Sequence, residues 1–160
     1  MRHPLKCCAL IAVVFAGAVH AGQPPASSAL ETFGKGVQIY VCKASGSAYA
    51  WAFKAPEATL SDARGKAIGK HFAGPTWQAS DGSTVVGEVL QSSSSPDARG
   101  VAWLVLRAKS HTGAGVMDSV QYIVRTRTEG GLAPASGCDA GHAGSEVRVP
   151  YNAVYTFFRG

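Results

Sequence analysis

The stretch from His71 to Glu88, H-F-A-G-P-T-W-Q-A-S-D-G-S-T-V-V-G-E, holds the densest set of groups in this chain that could do chemistry. It carries an imidazole, an indole and two carboxylates. His71 with Asp81, or with Glu57 a little upstream, could supply a general base and its orienting acid for a hydrolase. The same His71 with Trp77, Asp81 and Glu88 could instead line a cleft where an aromatic face and a few polar groups hold a ligand. Trp51 is a further ligand-binding candidate, and Tyr40 and Trp103 add aromatic faces. The competing reading is structural: Trp77 a core anchor, Asp81 a turn former and His71 a hydrogen-bonded strand-end histidine. No G-x-S-x-G marks a nucleophile, so the catalytic candidates stop at His71, Asp81 and Glu57. His71, His111 and His142 have no partner at i, i+2 or i, i+4, and neither a metal nor a cofactor is expected.

The elements that must position these groups read as strands. Asp81-Gly82, flanked by β-branched residues, predicts a hairpin with a two-residue type I′ turn. Gly74-Pro75 predicts a corner that brings His71 and Trp77 close across it. Val37 to Lys43 alternates Val37, Ile39 and Val41 with Gln38, Tyr40 and Cys42. Ala48 to Lys54 repeats the pattern after Ser45-Gly46-Ser47, predicting an antiparallel pair. Pro56 and Pro150 read as breaks, and Ala29 to Phe33 as a helical turn. Val116 to Thr128 alternates most cleanly, with Val120, Tyr122 and Val124 on the core side and Ile123, Arg125 and Arg127 on the wet side. Gln91 to Gly100 and Glu129 to Ser145 read as loops. Nine or ten short strands with little helix predict an all-β fold, either an antiparallel β-sandwich or a closed β-barrel.

The N-terminus reads as a targeting segment. Arg2 and Lys6 precede an apolar run from Cys7 to Val19, and Val19-His20-Ala21 suits cleavage. The expected organisation is a signal peptide over 1–21, an extension over 22–35 and one all-β domain over 36–160. That implies a secreted or periplasmic protein with no membrane span after cleavage. The formal charge of +5 is spread without a dense basic run, which excludes nucleic acid as the expected partner. Beyond the segment only Cys42 and Cys138 remain, and in an oxidising compartment they are expected to form one disulfide.

Several motifs together resemble a known family. They are G-V-Q-I-Y-V-C at Gly36–Cys42, W-A-F-K-A-P-E-A-T-L at Trp51–Leu60 and H-F-A-G-P-T-W-Q-A-S-D-G-S at His71–Ser83. To these add A-W-L-V-L at Ala102–Leu106, R-T-R-T-E-G-G-L-A-P at Arg125–Pro134 and V-P-Y-N-A-V-Y-T-F-F at Val149–Phe158. The chain resembles secreted bacterial and fungal proteins grouped only as a domain of unknown function, some of which carry a "malate dehydrogenase" label in fungal genomes. The resemblance implies no activity or site residue. The dehydrogenase label has no support in the residues, which lack G-x-G-x-x-G after a strand and any βαβ pattern.

The function expected from the sequence is a secreted or periplasmic module that binds a ligand or an envelope component such as a carbohydrate. The alternatives are a hydrolase using His71 with a nearby carboxylate, and a structural or interaction protein of the envelope. Catalysis is the less expected outcome, and the oligomeric state is not readable.

Overall fold

The computed structural model describes residues 29–96 and 98–160. The expected signal peptide lies outside them. Alternating small, branched and aromatic residues favour strand along most of the chain. Eight form: β1 (Ala29–Ser45), β2 (Ala48–Ser61), β3 (Ala67–Phe72), β4 (Thr76–Ala79), β5 (Thr84–Ser93), β6 (Trp103–Thr112), β7 (Val120–Gly130) and β8 (Glu146–Arg159). Each pairs antiparallel with the next, and β8 returns to β1. The sheet is therefore a closed up-and-down barrel, which resolves the sandwich-or-barrel alternative. The only helical piece among the described residues is a 3-10 turn at Ala140–His142.

The strands are fewer and longer than expected because neither proline ends one. Pro56 pairs with Gln38, but β2 meets β3 only from Ala58 onward, so the ladder on that side has already ended. Pro150 pairs with Val37 and lies one residue beyond the last β7–β8 pair, Gly130 with Tyr151. A missing N–H is tolerated where a neighbouring strand has stopped. Residues Ala29–Phe33, expected as a helical turn within an extension, are the first part of β1 and pair along β8.

The hairpin at Asp81-Gly82 forms, but with a different turn. Ala79 N bonds Ser83 O at 2.9 Å and Gly82 N bonds Ala79 O at 3.0 Å, so the loop has three residues, Ser80 to Gly82. Within that loop only Gly82 has positive φ, at 90°. This is the type I turn plus left-handed glycine of three-residue hairpins. The hairpin at Gly46 and the corner at Gly74-Pro75 form where expected.

Inward side chains fill most of the barrel. Leu60, Trp77, Val85, Leu106, Ile123 and Phe157 are all essentially inaccessible. Each is worth roughly 1.5–3 kcal/mol relative to exposure. Trp77 meets Tyr155 and Phe157 edge-on, with centroids 5.6 and 6.1 Å away. Gly87 makes room for it, since a Cβ there would lie 2.9 Å from Trp77 Cζ3. The outer face carries ion pairs instead: Arg107–Glu88 at 2.9 Å, Arg127–Glu31 at 2.7 Å and Arg148–Glu57 at 2.7 Å.

Cys42 and Cys138 are bonded, with Cα atoms 5.3 Å apart. The bridge ties the loop after β7 to the outer half of β1. Trp51 Nε1 donates to Ser136 O at 2.9 Å and Tyr40 Oη donates to Gly131 O at 2.6 Å, so the loop is held at three points.

Candidate functional site

At the β3–β4 end the barrel does not fill. A cavity of about 400 Å³ opens there. Its walls are mostly apolar: Phe53, Pro56, Pro75, Val89, Val101 and Leu104. Two of these positions depend on irregular strand geometry. Opposite Ile39 and Tyr40, β2 inserts Lys54 as an extra residue, so Ile39 pairs with Ala55 and Tyr40 with Phe53. The bulge sets Phe53 edge-on to Tyr40, with centroids 5.8 Å apart. A second bulge in β5 follows Val89, which stands half-exposed at the rim. Bulges at a barrel rim re-aim side chains in this way.

The floor is polar and buried. His71 and Trp77 pair across the corner and stack, with centroids 4.4 Å apart and an interplanar angle of 10°. His71 Nδ1 lies 2.9 Å from Thr76 O. A carbonyl only accepts, so Nδ1 carries the proton and Nε2 is the basic nitrogen. Burial pushes the His71 pKa down to about 4, against the opposing pull of the Thr76 hydrogen bond, so the ring is neutral at neutral pH. Behind it, the Tyr151 and Tyr155 hydroxyls are 3.1 Å apart. Burial raises both phenols above the usual range. Gln38 is 2 % exposed, and its Nε2 makes no well-formed hydrogen bond, though it acts on the neighbouring Tyr151 hydroxyl against the effect of burial.

Arg125 completes the site. β7 changes its pairing register between Val120 and Tyr122 and again between Thr126 and Glu129. The second shift contains Arg127 at φ 47°, a left-handed conformation uncommon for an L side chain. Between the two shifts, Ile123 is fully buried and Arg125 lines the cavity. Arg125 Nε and Nη2 donate to Ala102 O at 3.0 and 2.8 Å. The guanidinium also acts on the Tyr155 hydroxyl, where it opposes the effect of burial. Both partners are neutral. The cavity lining contains no Asp or Glu, and Lys54, its other cation, is paired with Glu146.

The candidates from the sequence divide sharply. His71 lines the cavity, and Trp77 supports it from behind as a core residue, 1 % exposed. Asp81 lies at the opposite end of β4. Its Oδ1 accepts from Ser83 N at 2.9 Å and Ser83 Oγ at 2.6 Å, and its Oδ2 from Val116 N at 2.9 Å. Those bonds, the Ser83 hydroxyl foremost, hold its carboxyl below the usual range. It clips the β6–β7 loop to the hairpin. Glu88 and Glu57 sit on the outer face in ion pairs, and Trp51 anchors the disulfide loop. The proposed four-residue cleft is therefore not assembled, and among the described residues no carboxylate bonds to His71. The wet-face assignment of Ile123 and Arg125 is also corrected, because the two register shifts break the single alternation assumed for β7. Gln38 and Arg125 are the site residues that sequence reasoning missed. Their signal is a polar residue sharing parity with buried neighbours: Gln38 with Tyr40 and Cys42, Arg125 with Ile123.

The sequence model of one family matches residues 23–159, and that family is described as Protein of unknown function (DUF3455). No curated protein and no solved structure matches the chain. The match takes in every strand of the barrel and every residue of the cavity, so the chain belongs to the DUF3455 family.

Proposed function

We propose that this domain is a binding module, acting outside the cytoplasm, that takes a small, largely apolar molecule into the open end of its barrel. The supporting observation is the cavity of about 400 Å³, apolar in its walls and polar only at a buried floor. Pockets of this size and lining are typical of small-ligand sites, where a few polar groups set orientation. The walls favour an apolar ligand over a carbohydrate, since Trp51, Trp77 and Trp103 do not line the cavity. A hydrolase fits less well. A base held near pKa 4 is poorly matched to neutral pH, and Asp81 and Glu57 are engaged elsewhere. The disulfide supports an oxidising compartment.

The test is to block the mouth. Val89 is half-exposed at the rim, so Val89→Trp adds bulk there without disturbing the packed core. The neutral fluorescent probe N-phenyl-1-naphthylamine is expected to bind the unaltered domain and to bind Val89→Trp at least about tenfold more weakly. Leu90→Trp, beside it but outside the cavity lining, is the control and should bind normally. Equal binding by Val89→Trp at unchanged melting temperature would refute the site.

A further inference from the structure

We infer that the cavity selects an acidic ligand: an apolar molecule ending in a single carboxylate, which docks on Arg125 and Gln38. The inference rests on the binding-module reading above and adds the chemical class of the ligand. Two independent observations carry it. The first is Arg125, a half-buried cation whose hydrogen bonds reach only neutral groups. A guanidinium has five N–H donors in a planar fork; the Ala102 carbonyl takes Nε and one Nη2 hydrogen, and a bond to the Tyr155 hydroxyl would take one more, so about two are left for a ligand. A charge withdrawn from water without a counter-charge is costly, and an anion arriving in the cavity relieves that cost. Attraction is also stronger there than on the open surface, because the walls exclude high-dielectric solvent.

The second observation is Gln38, whose buried amide nitrogen makes no well-formed hydrogen bond: it acts weakly on the Tyr151 hydroxyl, and that leaves at least one of its two N–H groups without an acceptor. Buried polar groups in folded proteins are overwhelmingly paired, so an orphan donor at a cavity floor points to an acceptor brought by the ligand. Tyr40 does not compete for that acceptor, since its hydroxyl already donates to Gly131 O. His71, neutral, leaves Nε2 as an acceptor for one ligand N–H or O–H, or for nothing at all. The floor thus offers donors in excess and one uncancelled positive charge. A carboxylate matches both the charge and the fork, whereas an amine would meet Arg125 with like charge. The apolar walls exclude a small hydrophilic acid as the preferred ligand, because nothing would then cover Phe53, Val101 and Leu104.

A matched pair of probes separates this inference from the reading beneath it. Calorimetric titration would compare 4-phenylbutyrate with 4-phenylbutanamide, which share shape and apolar body but differ in charge. The acid is expected to bind about 10–100-fold more tightly than the amide, the range for a charge-assisted hydrogen bond in a partly buried site. Arg125→Gln should remove most of that preference by weakening the acid while leaving the amide within about threefold. Arg125→Lys, which keeps the charge and loses the fork, should fall between. Thermal melting of each variant without probe identifies any that fail to fold, and the acid–amide comparison on the unaltered domain stands regardless. Equal affinity for acid and amide would overturn the carboxylate inference while leaving the cavity as a ligand site. A preference that survives intact in folded Arg125→Gln would overturn Arg125 as its source. Binding of neither probe would overturn both readings together.

Discussion

Asp81 and Arg125 are charged side chains near opposite ends of one barrel, and they differ in what they leave over. Asp81 stands in solvent, yet both of its oxygens are taken by donors from Ser83 and Val116. Its bonding capacity is directed to holding two loops together. Arg125 is half-buried, yet two of its N–H groups converge on a single carbonyl, and the cavity it lines holds no acid among the described residues. The carboxylate that looked functional is a clip, and the arginine that looked like surface is the group with capacity in reserve. A motif-rich stretch therefore says less about function than the balance of donors, acceptors and charge at each end of the fold.

The largest expected effect belongs to the layer between the two ends. Trp77→Ala removes a buried indole packed on His71, Tyr155 and Phe157. It should cost about 3–5 kcal/mol in urea unfolding. A loss near zero would mean that the floor of the cavity does not depend on the core beneath it. The disulfide comes next. Cys42 and Cys138 are 96 residues apart in sequence, and replacing both by Ser should cost about 2–5 kcal/mol, partly by releasing the loop that holds Tyr40. If the double variant unfolds at the same urea midpoint, the bridge does not support this end.

Titration separates the two ends further. The folded pKa of His71 lies near 4, below its unfolded value of about 6.5, so the unfolded chain binds the extra proton first. Stability from this group is therefore full above about pH 6.5 and is lost as pH falls toward about 4. The loss should be about 3 kcal/mol, visible in urea midpoints across that window and absent in His71→Phe. Asp81 acts lower and more weakly. Its folded pKa is below the ordinary carboxylate value, so its contribution is present above about pH 4 and disappears on further acidification. Asp81→Asn should give a small fall in melting temperature at neutral pH and a flatter acid limb, without changing ligand affinity. A change in affinity would contradict the separation of the two ends.

Much of the barrel is legible because its signals are local. Gly46, Gly74-Pro75 and Gly82 mark three turns, and the Gly74-Pro75 corner alone is enough to set His71 beside Trp77. The disulfide follows from cysteine number and compartment. What is not legible is set by pairing between distant segments. Pro56 and Pro150 look like breaks until the neighbouring strand is known to have stopped beside each. Arg125 looks wet because one alternation is carried across β7, whereas register shifts before and after it turn Ile123 and Arg125 inward. Gln38 shares a face with Tyr40 and Cys42, but only barrel closure makes that face the inside. Asp81 and Glu88 fail as site residues for a related reason. Proximity in sequence along a hairpin puts them at another end and on another face.

The most direct test of the open end as the binding site is an amide-resolved NMR titration of the oxidised domain with 4-phenylbutyrate. Shifts are expected to cluster at Gln38 and Tyr40, His71 and Gly74, Val101 and Leu104, and Arg125, with Asp81, Ser83 and Met117 unmoved. Shifts centred instead on the Asp81 hairpin, or scattered over the ion-paired outer face, would contradict the account.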